Sequence, residues 1–454
     1  MRHLETDVLV IGGGMAGLAA ATIAQQRGAE TLLLRKGESA TSMSSGAVDV
    51  LGYLPRSLEP IESPAEGLLG LASMYPLHPY VLLGTRSDSD VFNAHAVEEP
   101  IEWLKKTVDG AEFKLIGSMN ENRFPICVLG SSKPTCLIQD TMDSGSVGED
   151  DQSDVMLFVG IKGHADFNPR AAARSSASDS THTDRIPHRV VDCVVDLTPF
   201  GHSFNVSSIE LARHMDHQDG TNEFVAQIAK EVKRTRATRV VTPPILGLKK
   251  PRSNASVMAK ELDVGVSELL SFPPSVPGCR LQDAMESAYV SAGGKIMLGF
   301  EASSCTVRGR LIGSVAARGP RRNVTIDTKS VVLASGKFIG GGLHADENGV
   351  RETALNLVTV TGEYYPASDI RPAHYSSRFA INPDGHPLFS CGVPVDSDMK
   401  PIDSDGHARF GNLFAAGSVL AGYDYLSEKS GLGVALVTGY AAGLNATRFV
   451  AGGE

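Results

Sequence analysis

Residues Asp7 to Gly17 read DVLVIGGGMAG. Val8, Leu9, Val10 and Ile11 form a continuous apolar run, the pattern of a strand buried on both faces. Gly12, Gly14 and Gly17 complete a G-x-G-x-x-G, and Leu18 to Gln26 are rich in helix formers. The first glycine permits a tight turn, the second lets a pyrophosphate approach the backbone, and the third lets helix and strand pack closely. The helix start then offers free N–H groups and a positive dipole end to phosphate. A lone glycine motif says little; strand, glycines and helix in this order point to a bound dinucleotide or flavin.

The next apolar run, Thr31 to Leu34, is the second strand expected of such a unit. An acidic residue at its end would normally hold the adenosine ribose. Arg35 stands there instead, followed by Lys36 and Gly37. Two readings stay open. Arg35 is a harmless surface residue with Glu38 or a backbone group taking over, or the adenosine half is held differently or absent, which suits FMN.

Working outward, 454 residues hold two or three domains' worth of core, and 42% hydrophobic with 21% charged residues is ordinary for a water-soluble chain. A net charge of −10 argues against nucleic-acid or anionic-membrane binding. No signal peptide is expected, and no stretch approaches the ~20 apolar residues of a membrane-spanning helix. The expected location is the cytoplasm. The cysteines at 127, 136, 193, 279, 305 and 391 include no C-x-x-C pair, so buried thiols are expected, and any iron–sulfur cluster belongs on another polypeptide.

Ser39 to Pro55, SATSMSSGAVDVLGYLP, is small and hydroxylated around Ser45 and Gly46, which lets backbone approach a planar ring. Val91 to Thr107 has helical periodicity. Strand-like runs at Met156 to Ile161, Arg189 to Leu197 and Arg239 to Thr242, with one or two helices over Ile209 to Lys233, predict an α/β middle region. Asp143 to Asp154 and Ala171 to Thr183 read as exposed mobile loops. His182, His188 and His202 lack ligand spacing, and the i, i+3 pair His214 and His217 lacks further ligands, so no metal site is expected.

Glycine chemistry returns after Ser271. A helix over Arg280 to Ser291, a strand from Lys295, and strand-like runs at Ile312 to Ala317 and Val324 to Ile326 precede VVLASGKFIGGG at Val331 to Gly342. Asn412 to Ala416 forms another short strand, closed by Gly417 and Ser418, and GLGVALVTGYAAG runs from Gly431 into a helix whose N-terminus suits a flavin oxygen. The fold class is therefore α/β: a Rossmann-like FAD/NAD(P)-binding fold split between residues 1–80 and 271–454, with residues 81–270 inserted. Three distant glycine-bounded segments suit a flavoprotein better than a nicotinamide dehydrogenase.

The blocks SSGAVDVLGYLP, HPYVLLG, PPSVPGCRLQDAM, VVLASGKFIGGGLHADENGVRE and NLFAAGSVLAGYDYLSEKSGLGVALVTGYAAG together resemble the B subunits of anaerobic glycerol-3-phosphate dehydrogenases. More broadly, both ends are similar to the fumarate reductase/succinate dehydrogenase flavoprotein superfamily. The resemblance implies a complex with a catalytic A subunit, plus an iron–sulfur, membrane-associated C subunit. That complex oxidises sn-glycerol 3-phosphate to dihydroxyacetone phosphate and feeds a quinone pool, placing the chain in the cytoplasm or at the inner face of the membrane. It implies a noncovalent flavin, FMN first and FAD as the alternative, because Ser39 to Gly46 contains no histidine for covalent attachment. The carried-over cofactor positions are Gly12, Gly14, Gly17, Ser45, Gly46, Ser335, Gly336, Gly417, Ser418, Gly431 and Gly433, with Arg35 at the adenosine position.

Oxidising an alcohol carbon needs a base for the hydroxyl proton and cations for the phosphate. His344, Arg351 and Glu352 are the catalytic candidates, with Arg371 and His374 beyond them. Asp424 either orders the C-terminal loop or merely caps it. Two competing readings remain: a noncatalytic scaffold within the same complex, and a stand-alone flavin-dependent oxidoreductase with another substrate.

Overall fold

The computed structural model describes residues 2–85, 91–144, 154–178, 189–200, 204–361, 375–380, 382 and 384–452. The first strand, Arg2–Ile11, lies at the centre of a seven-stranded sheet. Thr31–Arg35 and then Lys295–Leu298 pair in parallel on one side, and Asn323–Leu333 pairs in parallel on the other. Asn323–Leu333 has two neighbours on its far edge. Its carboxyl half takes Leu413–Ala415 in parallel, and its amino half takes the antiparallel Leu311–Arg318, which continues to Glu301–Arg308. Both ends of the chain thus build one sheet, and the carboxyl ends of its parallel strands converge on one edge.

Small residues explain how closely the helices sit. The C-terminal helix, Gly431–Val450, packs along the first helix, Met15–Gln26. A Cβ at Gly439 would lie 2.3 Å from the Ala16 carbonyl oxygen, and one at Gly443 would lie 2.4 Å from that of Ala20. Much of the glycine in the C-terminal segment therefore serves helix-to-helix contact.

A second sheet of four parallel strands occupies the middle of the chain, in the order Arg189–Val195, Val155–Ile161, Arg239–Thr242, Gly265–Glu268. It has its own core, which includes Leu157, Leu211, Phe224 and Ile228. The α/β expectation for the middle region holds, and Ile209 to Lys233 resolves into two helices, Ser208–Met215 and Gln218–Thr235. One loop expectation does not hold. Pro169–Ser178 is a helix, because Ala172, Ala173 and Ser176 give its Ala/Ser-rich sequence a buried face. Residues 145–153 and 179–183 of the two expected loops lie outside the described residues, as do His182, His188, His202, Arg371 and His374.

The helix His95–Val108 buries Val97, Ile101 and Leu104 in the core of the large sheet, together with Leu115 and Leu137 further on. This part of the 81–270 stretch thus packs with the large sheet. Arg280, on the helix Val276–Ser291, crosses between the sheets. Its guanidinium pairs with Glu268 at the end of the second sheet, and its Nε donates to the Gly247 carbonyl at 2.7 Å. No described helix is long and apolar enough to cross a membrane.

Candidate functional site

Strand pairing fixes the glycine loop before any ligand is considered. The Gly12 N–H donates to the Leu34 carbonyl at 2.9 Å, and the Ala334 N–H donates to that of Ile11 at 2.8 Å. Gly12 therefore turns between two neighbouring strand ends, with φ +117°, and a Cβ there would lie 2.0 Å from the Ala334 oxygen. A Cβ on Gly17 would lie 1.8 Å from the Gly12 oxygen, so the helix crosses directly over the turn. Gly14 precedes the helix in extended conformation, and the Met15 N–H donates to Thr41 Oγ1 at 2.9 Å. The other amides of the first turn have no intrahelical partner.

A cavity of about 630 Å³ opens at this edge. The second strand brings Leu34 to Glu38, the Ser-rich loop brings Ser44 and Ser45, and the long strand's exit brings Ser335, Gly336 and Gly340 to Gly342. The C-terminal segments bring Ser418, Gly431 and Ala435. Gly12, Gly14, Arg35, Ser45, Ser335, Gly336, Ser418 and Gly431 therefore line one space. Ser335 Oγ is buried with no hydrogen-bond partner among the described residues, and it lies in the wall of this space. An unpaired hydroxyl and a glycine cradle over a helix N-terminus fit the polar chain of a nucleotide-type flavin.

The remaining predicted glycines stand behind the wall. A Cβ at Gly46 would meet Pro277 at 2.4 Å, one at Gly417 would meet Ala16 Cβ at 2.7 Å, and one at Gly433 would meet the Tyr80 hydroxyl at 2.4 Å. Each allows two segments to touch, which positions the lining without forming it.

Arg35 is not a surface residue. It is 9% exposed, its Nε donates to the Gly37 carbonyl at 2.9 Å, and its guanidinium pairs with Glu38 at 3.0 Å and with Glu286. Its aliphatic stem packs beneath the loop, since a Cβ on Gly13 would lie 2.8 Å from Arg35 Cδ. Two carboxylates offset its charge, and the cavity passes over it to Phe300, Glu301 and Ala302.

His344, Arg351 and Glu352 line a second, more open space that meets the cavity at Gly341 and Thr353. They occupy the hairpin Leu343–Asp346 and Gly349–Glu352, where His344 and Arg351 are cross-strand partners. Both turn outward to Asp346, Arg351 at 3.0 Å and His344 at 3.7 Å. Glu352 is buried, and its carboxylate accepts the N–H groups of Ala354, Leu355 and Leu357 at 2.7, 2.8 and 3.3 Å. This carboxylate organises a turn. Glu352→Gln is expected to cost about 1–3 kcal/mol, because an amide nitrogen would then face those donors. An unshifted denaturation midpoint would contradict that role. Asp424 is a cap: its carboxylate accepts from Leu426 N–H at 2.9 Å and Ser427 N–H at 3.4 Å.

Three lysines in the cavity wall have no counterpart among the residues predicted from sequence. Lys337 follows Ser335-Gly336, and its buried ammonium donates to the Phe389 carbonyl beneath the rings of Tyr423 and Tyr425, 5.5 and 5.9 Å away. Burial pulls its pKa down to about 8. Lys133 pairs with Asp49 at 2.6 Å, and Lys429 stands nearby. Lysines in loops carry no periodic signal, and nothing in their spacing marks them. His214 sits 3.5 Å from Glu223, His217 begins the following helix, and no metal-ligating group of three gathers among the described residues.

A family model described as "FAD binding domain" matches residues 7–434. A protein of Halobacterium salinarum, named as the probable B subunit of an anaerobic glycerol-3-phosphate dehydrogenase, is 30% identical, covering 98% of this chain and 99% of its own. Its counterpart in Vibrio cholerae, named as the B subunit of the same type of dehydrogenase, is 28% identical, covering 97% and 96%. Among solved structures, a 3-ketosteroid delta1-dehydrogenase from Sterolibacterium denitrificans is similar at a TM-score of 0.45 and 10% identity, covering 98% of this chain and 99% of its own. The fold and site define an FAD-type flavoprotein. Within that class, the chain belongs to the family of anaerobic glycerol-3-phosphate dehydrogenase B subunits.

Proposed function

We propose that the chain is the flavin-bearing subunit of an anaerobic glycerol-3-phosphate dehydrogenase complex. It oxidises sn-glycerol 3-phosphate to dihydroxyacetone phosphate, beside a catalytic A subunit. An iron–sulfur C subunit takes the electrons towards a quinone pool and holds the complex at the inner face of the membrane. The observation that carries this reading is the single cavity built from segments some 400 residues apart in a chain whose relatives bear that name over nearly their full length.

The flavin we place there is FAD, held noncovalently. The FMN expectation came from the resemblance, and Arg35 in place of an acidic residue agreed with a missing adenosine half. The family model is one for FAD, and the cavity continues over a neutralised Arg35 to Phe300 and Ala302, giving that half somewhere to lie. Gly12 to Gly14 and the helix N-terminus would take the pyrophosphate, and the Ser335 hydroxyl would meet the chain or ring that passes it. The bound flavin supplies the hydride acceptor. For the substrate's hydroxyl proton, Lys337 is the group this site favours. It lies in the cavity wall and exchanges between ammonium and amine near neutral pH, whereas His344, Arg351 and Glu352 face elsewhere.

The test is the visible spectrum of the purified chain, chromatography of the released chromophore, and turnover of glycerol 3-phosphate with an artificial acceptor, alone and with the A and C subunits. FAD and dye-linked turnover are expected. A chain that takes up neither flavin would overturn the redox role and leave a scaffold. Robust turnover of an unphosphorylated substrate would favour a self-sufficient oxidoreductase.

A further inference from the structure

Beyond the glycine loop, the cavity wall includes two lysines from distant parts of the sequence, Lys133 and Lys429. They are brought together by a close contact of their segments: a Cβ on Gly52 would touch Lys429 Cβ at 2.9 Å and Pro134 Cγ at 3.1 Å. Asp49 serves the pair. Its carboxylate takes Lys133 at 2.6 Å through one oxygen and the Thr135 hydroxyl through the other. The Lys429 ammonium makes no hydrogen bond or ion pair among the described residues. Asp424 is the next carboxylate: it attracts the Lys429 ammonium through space, while its Oδ1 accepts the N–H groups of Leu426 and Ser427. Lys133 is therefore the direct partner of Asp49, and Lys429 is left half-buried in the wall without a direct partner of its own.

Such an arrangement costs free energy unless an anion joins it. Burial, and then the nearness of Lys133, push the Lys429 pKa below the ordinary lysine value. A dianion between the two ammonium groups reverses both effects, because each charge-assisted hydrogen bond is strong where water is excluded. The lysines line the same cavity as Asp49 and Ser45 of the Ser-rich loop, so an anion held there would share that space with the proposed flavin.

We propose that Lys133 and Lys429 form the subsite for the phosphate of a small phosphomonoester, oriented so that its carbon chain extends along the cavity. The identification of that ester as glycerol 3-phosphate rests on the function proposed above; the anion subsite does not.

Calorimetric titration of the flavin-loaded full chain tests it, with inorganic phosphate and glycerol 3-phosphate as separate probes and unphosphorylated glycerol as the control. Lys429→Met and Lys133→Met are each expected to weaken both phosphate probes by about 10- to 100-fold, the worth of one hydrogen bond to a charged group. Lys429→Arg should keep much of the affinity, and flavin content reports that each variant is folded. Unchanged affinity in a folded Lys429→Met or Lys429→Gln chain overturns the subsite, as does absence of phosphate binding to the wild type. Phosphate binding that needs both lysines, without glycerol 3-phosphate binding, supports the subsite and overturns the substrate reading instead.

Discussion

Lys337→Met is expected to lower turnover by about 10²- to 10⁴-fold, the usual worth of a positioned proton acceptor, while leaving the protein no less stable than the wild type. The two halves of this result have one cause. The Lys337 ammonium is held away from water with a backbone carbonyl and two aromatic rings, so its pKa falls from 10.5 to about 8. At about 1.36 kcal/mol per pH unit, keeping it charged in the folded state costs on the order of 3 kcal/mol. Methionine has a similar shape without the charge, and losing the bond to the Phe389 carbonyl returns about 1–2 kcal/mol of that. The pH dependence follows in sign. Below pH 8 folded and unfolded chains both carry the proton, and the penalty is complete. Between pH 8 and 10.5 the folded chain binds fewer protons than the unfolded one, so wild-type stability rises with pH. The advantage of Lys337→Met should therefore be present at pH 7 and shrink through that window. Denaturation midpoints at pH 7 and 9.5, with stopped-flow reduction of the flavin by substrate, read both effects. A variant that is less stable yet fully active would remove Lys337 from the chemistry.

The glycine loop was legible because each constraint there is local: a buried strand, a tight turn and a helix start leave their marks within eleven residues. Three strands of the middle sheet were legible for the same reason, Val155–Ile161 most plainly as a continuous apolar run, whereas the short, polar Gly265–Glu268 was not. Tertiary partnership was not. His95–Val108 shows helical spacing, but spacing cannot say which core the apolar face will meet. The same holds for Gly417 and Gly433, whose place beside a nucleotide motif suggested ligand contact when Ala16 and Tyr80 are what they accommodate. Arg35 was visible as a departure, but its two carboxylate partners come from Glu38 and from Glu286, 251 residues away. His344, Arg351 and Glu352 were attractive by residue type. Strand register turns the first two outward and backbone amides engage the third, which composition alone could not reveal. The lysines of the cavity wall lie in segments with no periodicity, and only the fold brings them together.

Arg280→Met is expected to destabilise the protein by about 3–5 kcal/mol, since it would leave Glu268 buried without its counter-charge. Both side chains are almost wholly enclosed, and their network spans the joint between the sheets. Glu268 also accepts from the Thr141 hydroxyl at 2.7 Å and the Leu246 N–H at 3.3 Å, while the guanidinium reaches Gly247 and Gln139. Gln139 in turn donates to the carbonyls of Gly46 and Pro277, so the network ends on the loop that faces the cavity. Leu270 to Pro273, two residues beyond Glu268, are themselves part of the cavity wall. Breaking the pair should therefore loosen that wall, and flavin affinity should fall together with stability. The double variant Arg280→Met with Glu268→Leu separates charge from packing. An apolar pair leaves no buried charge unpaired, so it should recover most of the lost stability. Denaturation of the two single variants and the double variant measures the coupling. If both single losses are small and additive, the pair is solvated and the joint is held by apolar contact; a large coupling makes this ion pair the fastening between the inserted sheet and the flavin site.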